Sequence, residues 1–375
     1  MIERWHCKRS VMRTYYVDET GFTGKDLLAA DQPIFLQATN DLSEDEADRL
    51  IASTFGGLGS TELKYSRLAR GGRHQDRIVE FIGILAQDPL RAGAWIAHKE
   101  FAMMTLIVDW WMEPLAYEAG LNLYKDGANH GMANMLYFCL ESYWSKGFRR
   151  KVLEHFQRML RTRTLERYTE CQLLIEKARR HATGDPTREE LLRYLSVSFM
   201  LLGYDHVRRM PERALDIALT GLVQLGHMWT ERHSGPWSVV HDQSSNMSKQ
   251  KWIWDAYSAE TMPPAKFENP GTVARFPMNV TQTRFGDSAQ EKQLQICDVL
   301  AGACSAFARF DKTDAEHLAY RDRLGAAGIE NFFTGVMWPV PEVTPEGLGR
   351  RGWDGNIALE YLTQNMRAKR PEPKP

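Results

Sequence analysis

Strand patterning in this chain breaks off once, and the break is long. From residue 100 to 232 apolar positions recur at helical spacing, in segments 100–119, 130–144, 148–181, 187–201 and 211–232. Short β-rich runs precede the block at 11–17, 34–39 (IFLQAT) and 92–99 (AGAWIAHK), and others follow at 236–242 (PWSVVHD) and 279–285 (NVTQTRF). Strands so far apart in sequence share one sheet only if the helical block is an insertion. The expected fold is therefore α/β: a mixed-sheet core formed by 11–99 and 233–310, an all-helical insertion at 100–232, an extension at 311–365, and a disordered, Pro- and charge-rich tail at 366–375.

Local signals place the remaining elements. Ser43 followed three residues later by Glu46 predicts a capped helix that ends at Gly56-Gly57. Further helices are expected at 73–87, 247–257 and 289–309, and TMPPAKFENPG (261–271) reads as a loop.

Composition narrows the class. With 375 residues, 43% apolar and 25% charged, the chain can build a sizeable core. A net charge of −1 gives no overall pull toward nucleic acid or membrane, so any such preference must be local. Five scattered cysteines without a CxxC pair argue against a disulfide framework or a zinc site and point to reduced thiols in the cytoplasm. The opening MIERWHCKRS carries charges where a signal peptide needs an apolar segment. FAMMTLIVDWWM (101–112) is too short to span a bilayer and contains Asp109, so no membrane association is expected.

The acids carry the chemistry. Asp298 is the single charged residue in LQICDVLAGACSAF (294–307), a helix apolar or small on every side, where a lone carboxylate is costly unless a cation meets it. A buried salt bridge answers that need as well as Mg²⁺ or Mn²⁺ does. Asp242 closes the strand WSVVHD, either as a site residue at a strand end or as a cap made with Ser244 and Ser245. His241, one position earlier, alternates to the other face. Glu62 follows Ser60-Thr61 at a break between helices, where a solvated helix start is the plain reading. Asp18 and Glu19 end the first strand in TYYVDETGFTG, where acids are common for structural reasons alone. Considered together, four acids arrive in order on a first strand, a helical region, a later strand and a last core helix. Carboxylates that converge need countercharge, and two divalent cations provide it while clamping both oxygens of a phosphodiester displacement. The chain has no GxxxxGK[ST] loop, HExxH or GxSxG, and Thr20 stands where an aspartyl phosphatase needs a second Asp.

YYVDETG (15–21), ELK (62–64), VVHDQS (239–244) and DSAQEKQLQICDVLAG (287–302) resemble, in that order, the motifs of the bacterial family known as domain of unknown function 3800, of the ribonuclease H-like superfamily. LYKDGANHGMANMLYFCL (123–140) resembles the helical middle of some members. The resemblance spans about residues 12–309, with Thr20 in place of the commoner Ser and Cys297 in place of Ala. It implies a ribonuclease H-like core with metal-dependent nuclease potential, in which Asp18, Glu62, Asp242 and Asp298 hold Mg²⁺ or Mn²⁺. Glu19, Asp287 and His241 are supporting candidates, and Lys64 or Lys99 would contact phosphate.

The segment 146–180 is rich in Lys and Arg against a nearly neutral whole. Arg149, Arg150, Lys151, Arg158, Arg161 and Arg163 form its densest part, with Arg208, Arg209 and Arg213 as an extension. Such a surface suits phosphates, although an amphipathic helix with a solvated Arg face looks the same in sequence. Trp252 and Trp254 are candidates for base stacking and equally for the core. The function expected is hydrolysis of DNA or RNA by a metal-dependent nuclease. The competing class is a non-catalytic ribonuclease H-like module that binds nucleic acid or a protein. A third, an actin-like phosphohydrolase suggested by DETG, lacks the second glycine-rich loop it would need.

Overall fold

A computed structural model describes residues 12–366 except 23, 59–61, 71, 143–145, 182–183, 185, 234 and 270. The N-terminal stretch with Cys7, the pair Ser60-Thr61 and the tail beyond Met366 lie outside the described residues.

Alternation sets the first strand. In β1 (Arg13–Thr20) Tyr15 and Val17 are buried on one face, while Tyr16 and Asp18 point to the other. β2 (Ile34–Asn40) is buried at every position, as befits a strand covered on both faces. α1 (Glu44–Phe55) begins with the expected capping box: Glu46 N donates to Ser43 Oγ at 3.3 Å, and Ser43 N donates to Glu46 Oε2 at 2.8 Å. α2 (Tyr65–Leu68), α3 (Gly72–Leu85) and β3 (Ala92–His98) complete the first part.

The helical block follows: α4 (Lys99–Ile107), α5 (Glu113–Glu118), α6 (Ala128–Ser142), α7 (Phe148–Thr162), α8 (Leu165–Arg180), α9 (Pro186–Arg209) and α10 (Ala218–Arg232). Two long expected helices are divided. A π turn at Val108–Met112 separates α4 from α5. The 148–181 helix breaks because Arg163 adopts a left-handed backbone (φ 56°) and Thr164 caps α8 by accepting from Arg167 N. Without Gly or Pro at that point, periodicity alone hides the break. The expected 211–232 helix starts only at Ala218.

β4 (Trp237–Asp242), α11 (Ser245–Ser258), β5 (Ala265–Asn269), β6 (Thr272–Phe276), β7 (Val280–Gly286), α12 (Lys292–Phe307), α13 (Ala315–Ala326), β8 (Phe333–Met337) and α14 (Asn356–Met366) complete the chain. The 261–271 loop thus contains a hairpin arm, β5 pairing with β6, and the extension adds a strand that its five residues did not advertise.

The main sheet has the order β7-β4-β1-β2-β3-β8. β1, β2 and β3 form an antiparallel meander, whereas β4 runs parallel to β1, β7 to β4 and β8 to β3. The chain therefore reverses its direction of travel across the sheet between β1 and β4, the kind of switch point where crevices open at strand carboxyl ends. One face is covered by α1, α3, α12 and α13. The other is covered by α10, whose Trp229 stacks on Tyr15 with ring centroids 3.9 Å apart, and by the insertion beyond it. Tyr15, Val17 and Trp95 of the sheet belong to the same continuous apolar cluster as Trp111, Phe156 and Phe199 of the insertion.

Trp111 is fully buried, stacked on Phe199 at 5.0 Å and edge-on to Phe156 at 4.9 Å. Trp111→Ala is expected to cost about 3–5 kcal/mol. Because the apolar cluster is shared, sheet and insertion should melt together; two separate urea transitions, read by far-UV and near-UV circular dichroism, would contradict this.

Candidate active site

Asp18 and Asp242 are brought together by register. β1 and β4 run parallel with Val17 beside His241, so the next residues, Asp18 and Asp242, are neighbours on the opposite face, on strands about 5 Å apart. α12 packs across that same face and contributes Asp298. Gly286, opposite Asp242 on β7, is required for this approach: a Cβ there would meet Glu291, Val240 and Leu294 side chains at 2.5–2.8 Å.

Electrostatics record the convergence. Burial, then the charges of Asp298 and Asp242, push the Asp18 carboxyl up to about 8, although Glu19 N donates to its Oδ1 at 2.7 Å. Burial also raises Asp298, opposed by a hydrogen bond from Tyr65 N at 2.6 Å and by the Lys64 ammonium at 3.6 Å.

The Glu62–Tyr65 segment is fitted to α12 by several specific contacts. Gly302 leaves room for the Tyr65 ring, which would lie 2.0 Å from any Cβ at that position. Gln295, buried one turn before Asp298, accepts from Leu63 N at 3.0 Å and donates to Ser288 O at 2.7 Å. Ser288 Oγ donates to Glu62 Oε1 at 2.6 Å and lies 3.0 Å from Lys64 Nζ. Lys64 in turn meets Glu62 at 3.2 Å. Glu62 thus reaches the site's edge through Ser288 and Lys64, and its hydrogen bond to Ser288 holds its carboxyl below the usual range. Gln295 and Ser288 were not singled out from sequence, although both lie in the DSAQEKQLQICDVLAG stretch (287–302) that carries the resemblance.

The supporting candidates divide. Glu19 lies on the opposite face from Asp18, within reach of Gln37 Nε2 and Ser244 Oγ, each at 3.4 Å, and burial raises its carboxyl. His241 shares that face, fully buried, with Nδ1 2.8 Å from Asp242 O and no partner for Nε2 among the described residues. Asp287 is exposed and builds a turn, accepting from Ala289 N at 2.9 Å. Lys99 is buried beneath the β1–β2 connection, where desolvation lowers it to about 8 against the pull of Asp26 and Asp31. It is therefore not placed to meet a phosphate from solvent. Trp254 is core, donating to Thr283 Oγ1 at 2.8 Å, while Trp252 remains exposed.

Half of the named basic set braces the fold. Arg149 and Arg150 pair with Glu100 at 3.3 and 3.0 Å, Arg149 stacks on Tyr137, and Arg163 donates to Met210 O and Pro211 O. Arg208 and Arg213 are paired with Asp205 and Asp216. Lys151, Arg158 and Arg161 lie exposed along α7 without an ion-pair partner among the described residues. α7 is tied to the loop after β1: Leu27 N donates to Gln157 Oε1 at 2.7 Å, and Gln157 Nε2 donates to Asp26 at 3.0 Å.

Among the described residues, no three His, Cys, Asp or Glu side chains close on one point tightly enough to hold an ion as they stand. The Lys64 ammonium between Glu62 and Asp298 accounts for part of that spacing. The donors themselves are all carboxylate oxygens, the chemistry that suits Mg²⁺ or Mn²⁺, and burial first, then the neighbouring Asp298 and Asp242, disfavours ionised Asp18 without a cation. No family model, curated protein or solved structure gives a significant match to the chain. No helix among the described residues is long and apolar enough to cross a membrane.

An acid raised in the folded state favours folding at low pH and loses that contribution as pH rises from its unfolded value near 4 through about 8. In chelator, Asp18→Asn is therefore expected to melt higher than the parent chain, by a margin that widens between about pH 5 and about pH 9 and reaches at least ~2 °C. A constant margin across that range would show that Asp18 does not titrate there.

Proposed function

We propose that this chain is a metal-dependent phosphodiesterase of ribonuclease H-like type that cleaves DNA or RNA. The observation that carries the reading is Asp18 and Asp242 side by side at the carboxyl ends of parallel strands, with Asp298 delivered to the same face by α12. Support comes from the sheet, which is mixed as expected: the antiparallel β1, β2 and β3 are continued across β1 by the parallel β4 and β7.

Asp18, Asp242 and Asp298 would hold the cations, with Glu62 at the margin. Bound divalent ions supply an activated water and charge stabilisation for the leaving oxygen. The chain's own contribution is placement. Tyr65 N fixes one oxygen of Asp298, Ser288 and Gln295 fix the Glu62–Lys64 segment, and Lys64 is the cation of the set able to meet a phosphate oxygen. The exposed Lys151, Arg158 and Arg161 on α7 are the groups proposed to neutralise backbone phosphates.

One observation favours the non-catalytic alternative: Lys64 already sits between two of the acids, as an ammonium does in a structural ion pair. Labelled single- and double-stranded DNA, RNA and hybrids with Mn²⁺ or Mg²⁺ separate the readings. The nuclease reading expects cleavage that Asp18→Asn and Asp298→Asn abolish, and a loss of about 10- to 100-fold in Ser288→Ala through its positioning of Glu62 and Lys64. Equal cleavage by Asp18→Asn would assign the activity to a contaminant. Salt-dependent binding without any cleavage would leave the module.

A further inference from the structure

A cavity of about 460 Å³ lies far along the sheet from these acids, on the insertion face under the edge strand β8. β8 itself forms much of its wall, and the rest includes Trp95 of β3, Thr220 and Gln224 of α10, His130 of α6, and the strap 338–353 that carries Arg350 and Trp353.

The strap is held in a defined position. Asn134 of α6 clamps it with both ends of its amide, donating to Glu342 O at 2.8 Å and accepting from Val340 N at 3.1 Å. Farther on, Asp126 N donates to Trp353 O at 2.6 Å, Gly355 N donates to Tyr124 O at 3.1 Å, and Asn122 Nδ2 donates to Asp354 at 2.9 Å. Two glycines admit it. A Cβ on Gly131 would meet Val343 O at 2.6 Å, and one on Gly127 (φ 72°) would meet the Arg350 side chain at 2.3 Å. The cavity is therefore built by packing and hydrogen bonds on both sides of the strap.

Arg350 is its distinctive group. The guanidinium is half-buried, lies 4.7 Å over the Trp353 ring, and has no carboxylate partner among the described residues. Its neighbour Arg351 is exposed and paired with Glu346 at 3.0 Å, so carboxylates are available to this strap and none is spent on Arg350. His130 beside it is held neutral, by burial first and then by the Arg350 charge, and so adds no second cation. A desolvated guanidinium without an anion is expensive, and its fork of donors matches a carboxylate or phosphate. The aromatic wall offers a face to a planar ring, and Thr220 and Gln224 offer polar contacts to its edge.

We propose that this cavity is a binding site for a small anion joined to a planar ring, the oxyanion on Arg350 and the ring against the half-buried indole of Trp353. The shared chemistry covers a phosphorylated nucleoside and an aromatic carboxylate, which the experiment distinguishes. The site is independent of the Asp18 cluster and of any nuclease activity.

Calorimetric titration of the full chain with AMP, indole-3-carboxylate, adenosine and inorganic phosphate tests it. At least one of the two ringed anions is expected to bind saturably at submillimolar concentration, and at least about tenfold more tightly than adenosine or phosphate alone, the value of one charge-assisted hydrogen-bonded pair. AMP as the binder identifies a phosphorylated ligand, and indole-3-carboxylate a carboxylated one. Arg350→Met should weaken binding at least tenfold. Thr220→Trp, which fills the cavity from an exposed position on α10 and does not depend on the strap's integrity, should do the same. Asp18→Asn should bind as the parent does. Failure of both ringed anions to bind at millimolar concentration overturns the proposal, as does unchanged affinity in Thr220→Trp, or binding lost in Asp18→Asn.

Discussion

The convergence of carboxyl groups on one buried face of the sheet is the constraint around which the rest is arranged. Asp18 and Asp242 are forced together by a parallel register that the surrounding apolar strands fix, since a one-residue slip would turn Tyr15, Val17 and Val240 to the wrong faces. The remaining countercharge and hydrogen bonds must then be brought to them. α12 carries Asp298 in, and the Glu62–Tyr65 segment is bound to α12 so that Lys64 and Tyr65 N reach it. Small residues at 286 and 302 and the buried amide of Gln295 make that approach sterically and electrostatically possible. Apolar groups of similar volume in these positions would cost less, and the contacts of Lys64, Tyr65 N, Ser288 and Gln295 offset part of that cost.

The sheet's two faces serve different ends. The face bearing Asp18 is closed by α1, α3, α12 and α13 and carries its acids near the carboxyl ends of β1 and β4. The other face supports the helical insertion through a shared aromatic core and, at its edge, the Arg350 cavity. Gln157 links the two regions by gripping the loop that leaves β1, so the exposed cations of α7 keep a defined relation to the acids. Glu19 and His241, on the insertion face directly behind Asp18 and Asp242, form a second polar layer beneath the acids.

Much of this was legible in one sequence. The five strand runs and the capping box at Ser43 are local or periodic features, and each survives in the structure within a few residues, whereas the sheet reaches beyond the expected 11–99 and 233–310 to take in β8. Asp298 announced itself because it is alone in an apolar helix. The breaks at Arg163 and at the π turn, the β5–β6 arm and β8 were not legible. None has a strong local signal, and each is decided by what it packs against. The basic segment shows the same limit. Composition counted Arg149, Arg150 and Arg163 with Lys151, Arg158 and Arg161, and only contacts with Glu100, Tyr137 and the 210–211 carbonyls separated braces from exposed cations.

By itself the sequence determined which residue types alternate, where helices begin, and that four acids recur in a fixed order, because these depend on neighbours a few positions away. Tertiary structure alone decided that Asp18 lies beside Asp242, that Lys64 rather than Lys99 belongs with the acids, and that Gln295 and Ser288 hold them. It also decided that Arg350, more than two hundred residues from Trp95 and His130 in the chain, shares a cavity with both. Those relations are set by strand register and helix docking, which are properties of the buried surface as a whole.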